Sequence, residues 1–102
     1  VGFDWENVQG AFDKVGEETT ELQQAMDGNG DVEEELGDLL FAVVNVARHL
    51  KVDPERALEK TCDKFISRFA SMERQARAED KTLSDLPLEA LDALWNKAKE
   101  TE

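Results

Sequence analysis

The 102-residue chain has a single cysteine, Cys62, so an internal disulfide is excluded. A lone thiol within a helical apolar pattern reads as a small core residue. There is also one histidine, His49, with Val46 three residues before it. Di-iron carboxylate bundles need Glu-x-x-His pairs, so that class is excluded, and His49 reads as a surface or helix-end residue. Basic residues are scarce, 12 against 24 acidic ones for a net charge of -12. No basic patch is available for nucleic acid. A small phosphate ligand stays open if cations bridge the repulsion. No apolar run reaches membrane-spanning length, and no signal-peptide pattern is present. The expected setting is therefore cytoplasmic, with no membrane partner. The chain opens on Val1 rather than Met, which suggests a piece of a longer protein. Strand signals, repeats and low-complexity tracts are lacking, and the length fits one domain with a modest core.

What is present is helical periodicity. From about Trp5 to Met26, Val8, Phe12, Val15, Leu22 and Met26 form one stripe. Asp27-Gly28-Asn29-Gly30 breaks it. Asp31 reads as an N-cap, with Glu34 three residues on completing a capping-box-like pattern. The second helix runs to about Leu50, with Val32, Leu36, Leu39, Val43 and Leu50 on its main face. Leu40, Phe41 and Val44 lie off that face, so this helix needs neighbours on more than one side. Asp53-Pro54-Glu55 starts a third helix. It carries Ala57, Leu58, Cys62, Phe65, Ile66, Phe69 and Met72, and turns polar near Arg77. Residues 78–86 read as a connection, and Pro87 opens a short final helix with Leu91, Leu94, Trp95 and Ala98. The expected fold is all-α: an antiparallel bundle of about four helices whose core is completed by homodimerisation.

Glu18 and Glu21 on the first helix, and Glu35 and Asp38 on the second, are two pairs spaced three apart. Each pair shares a helical face. Glu18 lies about 40° from Leu22 and Glu35 about 40° from Leu39, at the edges of the apolar stripes. A carboxylate there is costly to bury unless its charge is compensated, and a hard cation such as Mg²⁺ does so. The short loop favours an antiparallel hairpin. Glu21 and Glu35 are roughly equidistant from the turn, as are Glu18 and Asp38, so the four reach one level. Glu17 points about 160° away from Val15, off the stripe.

Glu17-Glu18-Thr19-Thr20-Glu21 followed by Glu35-Leu36-Gly37-Asp38 resembles the E-E-x-x-E … E-x-x-D motif of the all-α nucleoside triphosphate pyrophosphohydrolases. The stretches from Gly2 to Trp5, Glu34 to Leu50 and Lys64 to Phe69 look specifically like the MazG family, above all the C-terminal domain of its two-domain members. The resemblance spans Gly2 to about Lys99. It implies a tandem-domain parent and Mg²⁺-dependent hydrolysis of an NTP to its NMP and pyrophosphate, with Mn²⁺ able to substitute. Such a reaction belongs to nucleotide-pool housekeeping. By position, Glu18, Glu21, Glu35 and Asp38 would hold the metal, and Glu17 would orient water near a subunit contact.

Lys64 and Arg68 share a face of the third helix and either hold phosphate oxygens or pair with surface acids; the resemblance favours phosphate. Cys62 stands where the family commonly has Asn, and a thiol is a poor substitute for an amide's hydrogen bonds. Trp95 and Lys99 are four apart; the resemblance implies that they reach the nucleotide, while spacing alone fits Trp95 as core. Trp5 reads as packing the start of the first helix. Asn45 is either a buried hydrogen-bonding group or part of the nucleotide pocket. Two rivals stand beside the hydrolase: a non-catalytic dimerisation or nucleotide-sensing domain, and a dUTP- or dCTP-directed pyrophosphatase. Stacking on Trp tolerates any base and does not choose among substrates.

Overall fold

The structure, a computed structural model, describes residues 1–101. The chain is all-helical: α1 (Val8–Gln24), α2 (Val32–His49), α3 (Pro54–Ala78) and α4 (Leu88–Glu100). Among the described residues there is no strand.

The first three helices start where a side chain serves their free N–H groups, while α4 follows Pro87 with no side-chain cap. α1 begins at Val8, three residues later than the apolar stripe suggests, because extended Asn7 accepts the N–H of Gly10 at 3.2 Å. Trp5 lies in the lead-in and packs on α1 as expected. A Cβ on Gly10 would come within 3.1 Å of the Trp5 ring. α1 widens into a π-type turn over Ala25–Asn29, ended by Gly28 at φ 98°, a left-handed conformation suited to glycine. Asp31 caps α2 by accepting the N–H of Glu34 at 3.2 Å. Asp53 caps α3 by accepting the N–H groups of Glu55 and Arg56 at 3.0 and 3.3 Å.

Two helices end in the same way. After α2, the Val52 N–H reaches the Ala47 carbonyl at 2.9 Å and the Lys51 N–H reaches Arg48 at 3.1 Å. After α3, Lys81 reaches Ala76 at 2.8 Å and Asp80 reaches Arg77 at 3.0 Å. This is the Schellman closure. It places Lys51 (φ 59°) and Asp80 (φ 57°) in the left-handed region where glycine is usual. A short 3-10 turn, Leu83–Asp85, then interrupts the expected connection.

The chain divides into two compact units, Val1–Ala57 and the part from Leu58 onward. In the first, α1 and α2 form an antiparallel hairpin. The start of the chain (Asp4) bonds the end of α2 (Arg48), and the middle of α1 (Glu18) meets the start of α2 (Glu35). Small residues make the contact: Ala11, Ala25 and Ala42 are buried. In the second unit Met72, Ala76 and Ala98 are buried, and Phe65 packs against Trp95 with ring centroids 5.5 Å apart.

The expected stripes are wider than what is covered. Val8 and Phe12 of α1, Met26 of the turn after it, Val32, Leu36 and Val43 of α2, and Leu50 just past its end are exposed. So are Leu58, Phe65, Ile66 and Phe69 of α3. Cys62 is exposed as well, which overturns its reading as a core residue. A contact through alanines covers only a narrow strip, and the flanking large side chains are left over. No described helix is long and apolar enough to cross a membrane.

The two left-handed residues give a direct test. Lys51→Gly and Asp80→Gly should each stabilise the protein by roughly 0.5–1 kcal/mol, since Gly removes the Cβ penalty but adds unfolded-state entropy. Calorimetry should find Tm raised by a few degrees in each; a drop would contradict the cap assignment.

Candidate metal centre

Glu18 is the one charged side chain buried among the described residues, 5% exposed. It sits in mid-α1, facing the first turns of α2, where Glu35 is half-buried and Asp38 exposed. One carboxylate oxygen from each of Glu18, Glu35 and Asp38 lies within 4.8 Å of the others. The hairpin register thus gathers three of the four expected ligands. Glu21, one turn toward the loop, is outside that trio but still feels it. A hydrogen bond with Glu18 and the nearby Glu18 and Glu35 charges push its carboxyl up from the ordinary value.

The polar accounting is incomplete at the centre. Oε1 of Glu18 takes Lys14 Nζ at 3.1 Å, but Oε2 of Glu18 and Oε2 of Glu35 are buried with no hydrogen-bond partner. Two orphaned, buried carboxylate oxygens are costly in a protein interior. An all-oxygen, anionic donor set suits a hard divalent cation rather than a thiophilic one. The residues therefore fit Mg²⁺ or a close relative. Lys14, which the sequence reading missed, bridges the edge of the cluster: its Nζ also meets Glu17 at 3.3 Å. The two acids raise its pKa, Glu18 most. Its i,i+3 and i,i+4 spacing to Glu17 and Glu18 is the signal that could have found it. Glu17 is exposed, as its helical angle required.

Beside the carboxylates, a cavity of about 310 Å³ is lined by Lys14, Glu18, Asp38, Trp5, Phe41 and Asn45, among others. A second, of about 430 Å³, shares Trp5, Phe41 and Asn45 and is completed by Phe3, Asp4 and Arg48. Asn45 both hydrogen-bonds and faces the cavities: its Oδ1 accepts Arg48 Nε at 3.1 Å and Nη2 at 2.8 Å. Asp4 anchors the far side, pairing with Arg48 and with His49 Nε2, the latter at 3.1 Å. Arg48 first, then His49, hold the Asp4 carboxyl well below the usual range. His49 is a helix-end residue as expected, although its side chain is only 12% exposed.

The other expected contacts belong to the second unit. Arg68 lies over the Trp95 ring, 5.1 Å from its centroid, and Phe65 packs against the same indole. Trp95 is half-buried in this cluster, while Lys64 and Lys99 are exposed.

Fold and site together define an all-helical protein whose hairpin gathers three carboxylates into a set of the kind that suits a hard cation. The family model for the MazG nucleotide pyrophosphohydrolase domain matches residues 7–72, spanning α1, α2 and most of α3, and the chain belongs to that family. The chain is 48% identical over 99 residues to the nucleoside triphosphate pyrophosphohydrolase/pyrophosphatase MazG of Thermotoga maritima, covering 97% of this chain and 38% of that protein. It is 42% identical over 106 residues to the nucleoside triphosphate pyrophosphohydrolase of Escherichia coli K12, covering 100% and 40%. It is also 56% identical over 68 residues to the uncharacterized protein YabN of Bacillus subtilis, covering 67% and 14%. The chain thus spans about two fifths of the pyrophosphohydrolases it matches.

Without cation the cluster should destabilise the fold. Glu35→Gln removes one charge and offers an amide donor to Glu18. It should raise the metal-free Tm by roughly 4–8 °C, the equivalent of about 1 kcal/mol. It should also blunt the Tm rise expected when Mg²⁺ is added to the unaltered protein; a fall in metal-free Tm would contradict the orphaned-oxygen reading. The raised Glu21 pKa means that the folded state holds its proton more tightly than the unfolded one. Metal-free stability should therefore rise as pH falls through the interval between the folded and the ordinary Glu pKa. Saturating Mg²⁺ should flatten that rise, as read by thermal melts across pH.

Proposed function

We propose that this domain hydrolyses nucleoside triphosphates to the monophosphate and pyrophosphate, with Mg²⁺ held by Glu18, Glu35 and Asp38 and joined at the rim by Glu21. The observation that carries the reading is that Glu18 and Glu35, each with a buried, unpartnered oxygen, bring carboxylate oxygens within 4.8 Å of each other and of Asp38. The names of the Thermotoga maritima and Escherichia coli relatives support the same chemistry. Bound there, the cation would offset the triphosphate's charge, polarise a phosphoryl oxygen and lower the pKa of a water.

The chain's own groups account for the remaining tasks. Lys14 steadies Glu18 through Oε1 and leaves Oε2 free for the cation. Glu17, exposed on the adjoining face, orients the attacking water and takes up its proton. The water oxygen bonds to the α-phosphorus as the bridging oxygen departs with pyrophosphate. In the second unit, taken by itself, Lys64, Arg68 and Lys99 are the cations that the family resemblance assigns to phosphate, and Arg68 is steadied by cation–π contact on Trp95.

A homodimer completes this reading. Leu36, Leu40, Val43 and Val44 form an exposed apolar face on α2, with Leu40 58% exposed. Contiguous apolar surface of this kind marks an association site, and a second copy of the hairpin is its natural cover. The cytoplasm is the setting we assign to this nucleotide-pool role.

Pyrophosphate release from NTPs should require Mg²⁺ or Mn²⁺, and Glu18→Gln should lower kcat by roughly 100-fold or more, given the several kcal/mol a metal ion supplies. Metal-independent turnover, or full activity in that variant, would refute the proposal. Sedimentation equilibrium should give about twice the 11.5 kDa chain mass, and Leu40→Glu should shift it toward one chain.

A further inference from the structure

Among the described residues that line the cavity of about 310 Å³ beside the carboxylates, Lys14 is the one cation. Its Nζ lies 3.1 Å from Oε1 of Glu18 and 3.3 Å from Oε2 of Glu17. Lys14 is also the only basic residue of α1. The two of α2, Arg48 and His49, are committed to Asp4 at the open end of the hairpin. Within the two helices that carry Glu18, Glu21, Glu35 and Asp38, Lys14 alone is left to offset their charge.

That contact has two opposed consequences for a metal ion. As a tether, Lys14 would hold Glu18 in its ligating pose and favour binding. As a charge, it repels a divalent cation and disfavours binding. Burial decides between them. The Glu18 side chain is 7% exposed and held in mid-α1 against the start of α2, whereas the Lys14 side chain is 40% exposed on a flexible stem. A packed side chain gains little positional order from a mobile one, so the tether is weak. The repulsion stays: over about 6 Å, between a monovalent and a divalent cation, it weakens binding roughly five- to tenfold with salt screening included.

Resting on the metal reading of the carboxylates, we propose that Lys14 is the resident counter-ion of the metal-free site and sets its metal affinity. It supports the metal-free hairpin and holds the affinity for a divalent cation below what the carboxylates alone would give. Oε1 of Glu18 belongs to Lys14, while Oε2 of Glu18 and Oε2 of Glu35 have no partner and are left to receive the ion. A centre arranged in this way exchanges its cation instead of trapping it, and the hairpin persists through the exchange.

Lys14→Met keeps the length of the side chain and removes its charge; Lys14→Arg keeps the charge. Mn²⁺ binding without nucleotide, read from the paramagnetic resonance of the free ion, should tighten about five- to tenfold in Lys14→Met and stay within about twofold in Lys14→Arg. Thermal melts should place metal-free Lys14→Met a few degrees below the unaltered protein, with the gap narrowed at saturating Mn²⁺. Lost packing alone would lower the melting temperature without tightening the metal, so the two readouts together separate charge from structure. Equal or weaker Mn²⁺ binding in Lys14→Met, or an unchanged metal-free melting temperature, would overturn the inference and leave the metal site in place. Absence of Mn²⁺ binding in all three proteins would sink the metal reading itself, and this inference with it.

Discussion

Carboxylates repel one another, and folding the α1–α2 hairpin forces three of them together. The register that puts Glu18 opposite Glu35 and Asp38 leaves a buried charge with one oxygen paired to Lys14 and the other unpaired. Most of what is specific to the first unit follows from that register. Lys14 offsets part of the charge, and the raised Glu21 pKa reports the remainder. The cavity beside the trio is lined in part by Ala42, together with the larger Trp5 and Phe41. Such a centre is unfavourable by itself, and a hard cation bound there would offset its charge.

The hairpin can hold this arrangement because its helix contact is narrow. Buried alanines bring α1 and α2 close enough for opposing carboxylates to meet. The same economy leaves Phe12, Leu40 and Phe41 uncovered. One feature thus explains both the tight acid cluster and the exposed apolar face of α2. Asp4 closes the open end of the hairpin on Arg48 and His49, and Trp5, seated on Gly10, becomes a wall of the cleft.

Periodicity and capping made the elements legible in the sequence. Asp31 and Asp53 act as N-caps, Gly28 breaks α1, and the chain is all-helical. The mirrored spacing of Glu18 and Glu35-Asp38 about the turn was legible too, because a short loop leaves an antiparallel hairpin little freedom. Burial was not. Stripe positions such as Phe12 and Met26 stay exposed, and Cys62 lies on the surface, because periodicity reports which face is apolar and not whether another element covers it. Glu21 fell outside the trio because a matched distance from the turn does not fix side-chain reach. The tie from Asp4 to Arg48 and His49 joins residues 44 and 45 positions apart, which no local pattern encodes. Asn45 stood out as a polar break in an apolar run, but the partner that fixes its amide emerged only in three dimensions.

The central claim, that the hairpin carboxylates hold the cation on which phosphate chemistry depends, is tested most directly by anomalous scattering. Crystals grown with Mn²⁺ and a non-hydrolysable NTP should give a manganese peak bounded by Glu18, Glu35 and Asp38, with a phosphate oxygen completing its coordination. A nucleotide bound elsewhere, or bound while the three carboxylates hold no metal, would contradict the account.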